Sequence, residues 1–170
     1  MNTIRITKAD LNEKNEYKKG NIGTWNSYED THVEIEANLG WVKFTGLYVT
    51  GRIVAVAGSG IEAGLGIEAG GGIEAGGGIE AGLGIKAGLG IVSFYSCVMA
   101  KLRIESNLNC TISAGIFSTT GKKEISAQEV IGDVIYGDVK LIPVEKVEVV
   151  EELTMEEVCK LLGKTIKIKK

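Results

Sequence analysis

Between Gly60 and Ile91 the chain reads GIEAGLGIEAGGGIEAGGGIEAGLGIKAGLGI, a six-residue unit repeated five times with one charged residue in each copy. No other feature restricts the fold so strongly. The odd positions carry Ile61, Ala63, Leu65, Ile67, Ala69, Gly71, Ile73 and Ala75, and the even ones Glu62, Gly64, Gly66, Glu68, Gly70, Gly72 and Glu74. Apolar residues at period two mark a strand, because successive side chains on an extended backbone point to opposite sides. A helix would need its apolar residues three and four apart, and would carry a glycine at every second or third place at about 1 kcal/mol each relative to alanine. The stretch is therefore extended. Glycine makes up 24 of the 170 residues and proline only one, Pro143, so the glycines serve turns or close backbone approach and not a collagen or proline-rich design.

The same parity runs upstream through Val33, Ile35, Ala37, Leu39 and Trp41, then Leu47, Val49, Ile53, Ala55 and Ala57, with Lys43 and Thr45 as exceptions. It slips by one residue near Cys97 to Ala100, where a bulge or insertion is expected, and resumes on even positions as Leu102, Ile104, Leu108, Cys110, Ile112, Ala114 and Ile116. So long a shared inward face, with hardly any Asn-Gly or Asp-Gly turn, disfavours a meander of hairpins. A coil wound in one direction remains, and a hexad period is the mark of a β-solenoid whose stacked rungs bury a continuous core. In this reading Ile fills the interior and Ala63, Ala69, Ala75, Ala81 and Ala87 take tighter inward places. Leu65, Gly71, Gly77, Leu83 and Leu89 vary in bulk across a tapering core, and glycines beside each Glu relax the corners.

Two coil geometries compete. Three hexads per turn would set Glu62 beneath Glu80 and Glu68 beneath Lys86, one rung of about 4.8 Å away. Two hexads per turn would align Glu62, Glu74 and Lys86 in one column and Glu68 with Glu80 in the other. Isoleucine every six residues resembles the left-handed hexapeptide β-helix, and that resemblance implies the triangular coil.

The expected fold is all-β, a single-stranded β-solenoid (β-helix) built on hexapeptide repeats, with a short C-terminal helix-strand element. Residues 1–30 read as an N-terminal arm or cap in which TIRI pairs as a short strand, and residues 31–120 as the solenoid. Residues 121–152 read as short strands, broken at Gly132-Asp133 and Gly137-Asp138, that cap it. In residues 153–170, Thr154 with Glu157 forms a capping box and Leu153 staples to Val158. Met155, Val158, Leu161 and Leu162 make an apolar stripe, Gly163 stops the helix, and TIKIK alternates as a strand.

Composition narrows the function. The net charge is −3, and no long basic run precedes Lys164, Lys167, Lys169 and Lys170, which argues against nucleic-acid binding as the main activity. The N-terminus, MNTIRITKADLNEKNEYKK, has no apolar core of a signal peptide, and no uncharged apolar window reaches membrane-span length. The expectation is a soluble cytoplasmic protein without membrane association. Cys97, Cys110 and Cys159 are odd in number and lack CxxC spacing, so reduced, buried thiols are expected, with neither disulfide nor zinc. His32 is the only histidine; its place before the first clear rung makes it a surface or cap-adjacent residue and not a general base. G-x-S-x-G, HExxH, Walker and strand-GxGxxG-helix motifs are absent. The reading is therefore a non-enzymatic protein with no catalytic residue, metal or cofactor.

The binding candidates are charged and aromatic. Glu62, Glu68, Glu74 and Glu80 point outward, where they keep a glycine-rich solenoid soluble and discourage edge pairing. In a sharper reading, carboxylates at regular spacing imitate nucleic-acid phosphates toward a basic groove. Glu145, Glu148, Glu151, Glu152, Glu156 and Glu157 form a denser acidic cluster and an equal candidate. Trp41 has inward parity and reads as core. Phe44 and Tyr48 have outward parity and read as interface anchors, with covering by the N-terminal arm as the alternative.

The repeat, with the following EISAQEVIGDVIYGDVKL and the closing LTMEEVCKLLGKTIKIK, is similar to small repeat proteins encoded by phages and prophages of Firmicutes, over roughly Ile53 to Lys170. The resemblance implies an inhibitor that counters host defence. Its partner would be a host defence protein, an RNA-guided nuclease in the anti-CRISPR case, whose basic channels acidic surfaces block. The protein would act in the host cytoplasm without binding nucleic acid itself. Two alternatives stand beside it: a homo-oligomeric structural β-helix assembled through its C-terminal element, and a sponge for a nucleotide signal.

Overall fold

The computed structural model describes residues 1–107, 110–120 and 123–144. Parallel strands stack in three sheets, which are the three faces of a triangular coil. The first face runs Asn2–Ile6, Thr31–Ile35, Ile53–Ala55, Ile73–Ala75, Ile91–Ser93, Thr111–Ala114 and Asp133–Tyr136. The second runs Gly40–Phe44, Ser59–Ala63, Ile79–Ala81, Val98–Ala100, Glu124–Ala127 and Asp138–Leu141. The third runs Asn21–Ile22, Gly46–Val49, Ile67–Ala69, Gly84–Ala87, Arg103–Ser106 and Glu129–Ile131. Within the repeat the chain visits them in turn, one hexad to a side.

Where the repeat is regular, a full turn takes eighteen residues: Ile61 pairs with Ile79, Ile67 with Ile85 and Ile73 with Ile91. Glu62 accordingly lies beside Glu80, and Glu68 beside Lys86. This is the three-hexad geometry. Its core is a set of aliphatic columns running the length of the coil, with Ile53, Ile73, Ile91 and Ile112 all buried on the first face. Each such side chain contributes about 1.5–3 kcal/mol on removal from water. Two residues on, Ala55, Ala75, Ser93 and Ala114 are buried as well.

The corners explain the glycines after Ala69, Ala75, Ala81 and Ala87. A Cβ at Gly82 would fall 2.1 Å from the carbonyl oxygen of Gly64, and one at Gly88 1.9 Å from that of Gly70. Successive corners stack backbone on backbone, with Gly82 N–H donating to Ala63 and Gly88 N–H to Ala69 at 2.9 Å. No side chain fits between them.

The corners also correct the expected core. Leu65 and Leu83 are each 45% exposed and Leu89 65%, because strict alternation breaks wherever the backbone turns. Only the first and third residues of each hexad point inward. Upstream, the corner after Ile35 is one residue longer than its counterpart after Ala55, and the corner after Phe44 one residue shorter than that after Ala63, as the pairs Ile35–Ala55, Val42–Ile61, Phe44–Ala63 and Leu47–Ile67 require. Parity therefore inverts over Gly40–Phe44. Phe44 is core at 5% exposure, and Trp41 lies on the outside at 37%, the reverse of the sequence expectation for both. The slip expected near Cys97 is one extra residue in the corner between Ser93 and Val98, since these pair with Ala75 and Ile79.

The strand Asn2–Ile6 contains TIRI and pairs along its length with Thr31–Ile35. Behind it, Thr7 caps a 3-10 turn, Lys8–Asp10, in a reciprocal capping box with Asp10. Residues 23–30 then loop out over the third face before the chain re-enters the first. The helix expected in residues 153–170 lies outside the described residues.

Candidate functional site

The acidic residues of the repeat divide among the three faces. Glu62 and Glu80 share the second, in the outward column Lys43, Glu62, Glu80, Met99, Ser126, Lys140. Lys43 Nζ lies 2.9 Å from Glu62, and this hydrogen-bonded carboxylate raises the pKa of the lysine. Glu68 belongs to the third face, in the column Tyr48, Glu68, Lys86, Glu105, Ile131. Glu74 sits alone on the first face between Val54 and Val92. The coil therefore brings together only Glu62 and Glu80. Glu145, Glu148, Glu151 and Glu152 lie outside the described residues.

The loop of residues 23–30 builds the most distinctive part of the surface. Tyr28 donates its hydroxyl hydrogen to Glu68 Oε2, and Glu68 is only 7% exposed. Burial of the Tyr28 hydroxyl first, and its bond to the Glu68 carboxylate second, push the phenol pKa up to about 12. Tyr48 points outward, as its parity says, but is covered: Trp25 and Tyr28 both pack edge-on against its ring, at centroid distances of 6.4 and 6.2 Å. Its hydroxyl accepts the Gly66 N–H at 3.1 Å. Tyr48 thus holds the loop to the coil.

Trp25 itself stays 65% exposed. Beneath it a shelf of about 540 Å³ opens on the third face, floored by Gly84 and bounded by Leu83 and Leu102. Leu65, Leu83 and Leu102 form a ladder on the neighbouring corner, with Leu83 N–H donating to Leu65 and Leu102 N–H to Leu83 at 2.9 and 2.8 Å. All three leucines are more than two-fifths exposed. Contiguous exposed apolar surface of this kind marks interaction sites. The sequence carried a signal for it in the leucines at the fifth place of hexads three apart, Leu65 and Leu83, which uniform alternation assigned to the interior. A smaller aromatic cluster, Phe94, Tyr95 and Phe117, projects from the corner between the first and second faces, with Phe94 and Phe117 stacked at 5.8 Å.

The remaining candidates are structural. His32 is half-buried, and its Nδ1 accepts the Arg52 backbone N–H at 2.9 Å, which ties the second rung to the third. Cys97 and Cys110 are free thiols, half-buried where full burial was expected. Among the described residues no three His, Cys, Asp or Glu side chains cluster as metal ligands would. No helix among them is long and apolar enough to cross a membrane. Compared with protein-family models, with curated proteins and with solved structures, the chain gives no match.

Proposed function

We propose that the protein is a non-enzymatic binder of another protein and that the Trp25 shelf with its leucine corner makes the contact. The observation that carries this reading is the gathering of Trp25, Leu65, Leu83 and Leu102, all exposed, on one side of a coil whose repeat isoleucines are buried. A rigid scaffold presenting a tryptophan among aliphatic neighbours has the composition of an interface hot spot. The phage resemblance supplies the partner class: a host defence protein, in the anti-CRISPR case an RNA-guided nuclease, inhibited by occupying its nucleic-acid surface.

For a nuclease groove the second face is the relevant one, since it sets Glu62 and Glu80 on adjacent rungs. Affinity capture from a host carrying its defence systems separates the two contacts. Capture by the wild-type chain that is lost in Leu83→Glu and Leu102→Glu, both folded, supports the shelf; loss only in Glu62→Lys with Glu80→Lys, together with release by moderate salt, moves the contact to the acidic column. Capture unaffected by either pair overturns both.

A second reading, self-assembly, is favoured by the last rung, where Ile135, Tyr136, Val139 and Leu141 are all exposed. Light scattering at high protein concentration tests it. A monomer throughout sinks that reading.

A further inference from the structure

Resting on the reading of the shelf as a protein contact, we infer that it takes a planar aromatic side chain carried beside a basic residue of the partner. The coil contains its own template for the first half of this. On the second face Trp41 lies across two glycines of the rungs that follow, so that a Cβ at Gly78 would fall 2.5 Å from its Cη2 and one at Gly60 3.1 Å from its Cε3. A strand column stripped of side chains is a flat bed for a ring. Tyr48 uses the matching column on the third face, over Gly46 and Gly66, where added Cβ atoms would meet Tyr48 Cε2 at 2.6 Å and its hydroxyl oxygen at 3.0 Å.

Gly84 is the next position in that column, and no ring lies over it. A Cβ there would meet only the Arg103 carbonyl oxygen, at 3.2 Å. Around this floor stand Trp25, Leu83 and Leu102, and the volume of about 540 Å³ falls within the roughly 300–1,000 Å³ of pockets that hold organic groups. The bed at Gly72 and Gly90 on the first face is also uncovered, but no tryptophan overhangs it. It serves as an internal control.

Charge selects the second half. Glu68, Glu105 and Glu129 border or adjoin the shelf against Lys86 and Arg103. Both cations are engaged: Lys86 with Glu105 at 3.6 Å, and Arg103 with Glu105 at 3.4 Å and Glu129 at 3.2 Å. The charged residues that line the shelf itself balance, Glu68 and Glu105 against Lys86 and Arg103. A phosphate or carboxylate arriving here meets cations that are already paired, whereas a lysine or arginine meets the exposed face of Trp25, which attracts cations. A nucleotide is disfavoured on the same ground.

The test titrates the isotope-labelled full chain by NMR with three probes: tryptamine, indole-3-propionate and adenosine monophosphate. Saturable shifts at Gly84, Leu83 and the Trp25 indole N–H with tryptamine are expected, with little change at Gly72 and Gly90. Indole-3-propionate should bind about fivefold more weakly, its charge sign being the difference between the two indoles. Gly84→Leu should abolish the tryptamine shifts while leaving the remaining spectrum in place. No shift at Gly84 with any probe at millimolar concentration overturns the inference, and equal or tighter binding of either anion overturns its charge half. Partner capture lost in Leu83→Glu without tryptamine binding leaves the protein-contact reading standing and removes this one. Tryptamine binding with capture unaffected by the shelf variants removes the shelf as the protein contact, and with it a partner side chain as the occupant, leaving an aromatic-amine site at Gly84.

Discussion

The chain's two tryptophans meet the same kind of floor in opposite ways. Trp41 lies flat on Gly60 and Gly78 of the second face and is 37% exposed, whereas Trp25 borders the open shelf over Gly84 on the third and is 65% exposed. One bed is filled from within the chain, and the other is left open beside a wall. The difference separates a ring used to stabilise the coil from one kept for the surface, and it makes glycines that look identical in sequence unequal in consequence.

The largest effect that sharpens this contrast is expected at Gly78. Gly78→Leu must lift the Trp41 indole off its bed, and overpacking of this kind costs about 2–3 kcal/mol. Gly84→Leu enters open space and needs only a small shift from the Arg103 carbonyl, so it should cost under about 1 kcal/mol. Urea unfolding of both variants measures the gap. Equal losses would mean that the two floors are equivalent and would break the comparison.

The tryptophans themselves should follow the same order with smaller values. Trp41→Ala returns a largely covered indole and two glycine floors to water, a loss of about 2 kcal/mol. Trp25→Ala removes mainly exposed surface and should stay within about 0.5 kcal/mol, while abolishing the tryptamine shifts at Gly84. A Trp25→Ala loss as large as that of Trp41→Ala would recast Trp25 as a structural clamp for residues 23–30.

These distinctions were only partly legible in the sequence. Period two and the hexad specify a coil but leave twelve or eighteen residues per turn open; the resemblance to the hexapeptide β-helix implies eighteen, the spacing at which Ile61 meets Ile79 and Lys86 meets Glu68. What alternation cannot express is a corner, where two successive residues leave the strand and parity loses its meaning. Leu65 and Leu83 were assigned to the core for that reason. Phe44 and Trp41 exchanged roles because two corners of unequal length bracket them, and one residue more or fewer turns every side chain between them over. Tyr48 was read correctly as outward, yet its cover comes from Trp25 and Tyr28, some twenty residues earlier. No local pattern encodes that contact.

A third measurement probes how firmly the loop that carries Trp25 is anchored. The Tyr28 phenol is raised from 10.0 to about 12 in the folded chain, so between those values the folded state holds a proton that the unfolded chain has released. Stability is therefore unaffected by this group below about pH 10 and falls as pH rises toward 12. Tyrosinate absorbance should show one tyrosine titrating late. Glu68→Gln removes the charge that disfavours the phenolate and should bring that step back toward the ordinary range. An unchanged titration in the variant would place the cause in burial alone.

The smallest effects concern the second face, where the charges do not alternate as they do on the third. Lys43, Glu62 and Glu80 follow one another in one outward column, so Glu62 has a cation on one side and a carboxylate on the other. Like charges directly opposite on paired strands oppose each other and unlike ones attract. Glu80→Lys should consequently raise the unfolding midpoint slightly by making the column alternate. Glu62→Lys exchanges an attraction to Lys43 for one to Glu80, and should lower it only because the 2.9 Å ion pair of Lys43 with Glu62 is broken. Salt should shrink both shifts, since these side chains are solvated and screened. Opposite signs that converge in high salt would establish Glu80 as a residue held at a small cost to the coil, which is the behaviour expected of a carboxylate kept for a partner. If Glu80→Lys is neutral or destabilising instead, the repeat's glutamates need no explanation beyond solubility, and the acidic column drops out against the apolar shelf on the third face as the contact for a partner.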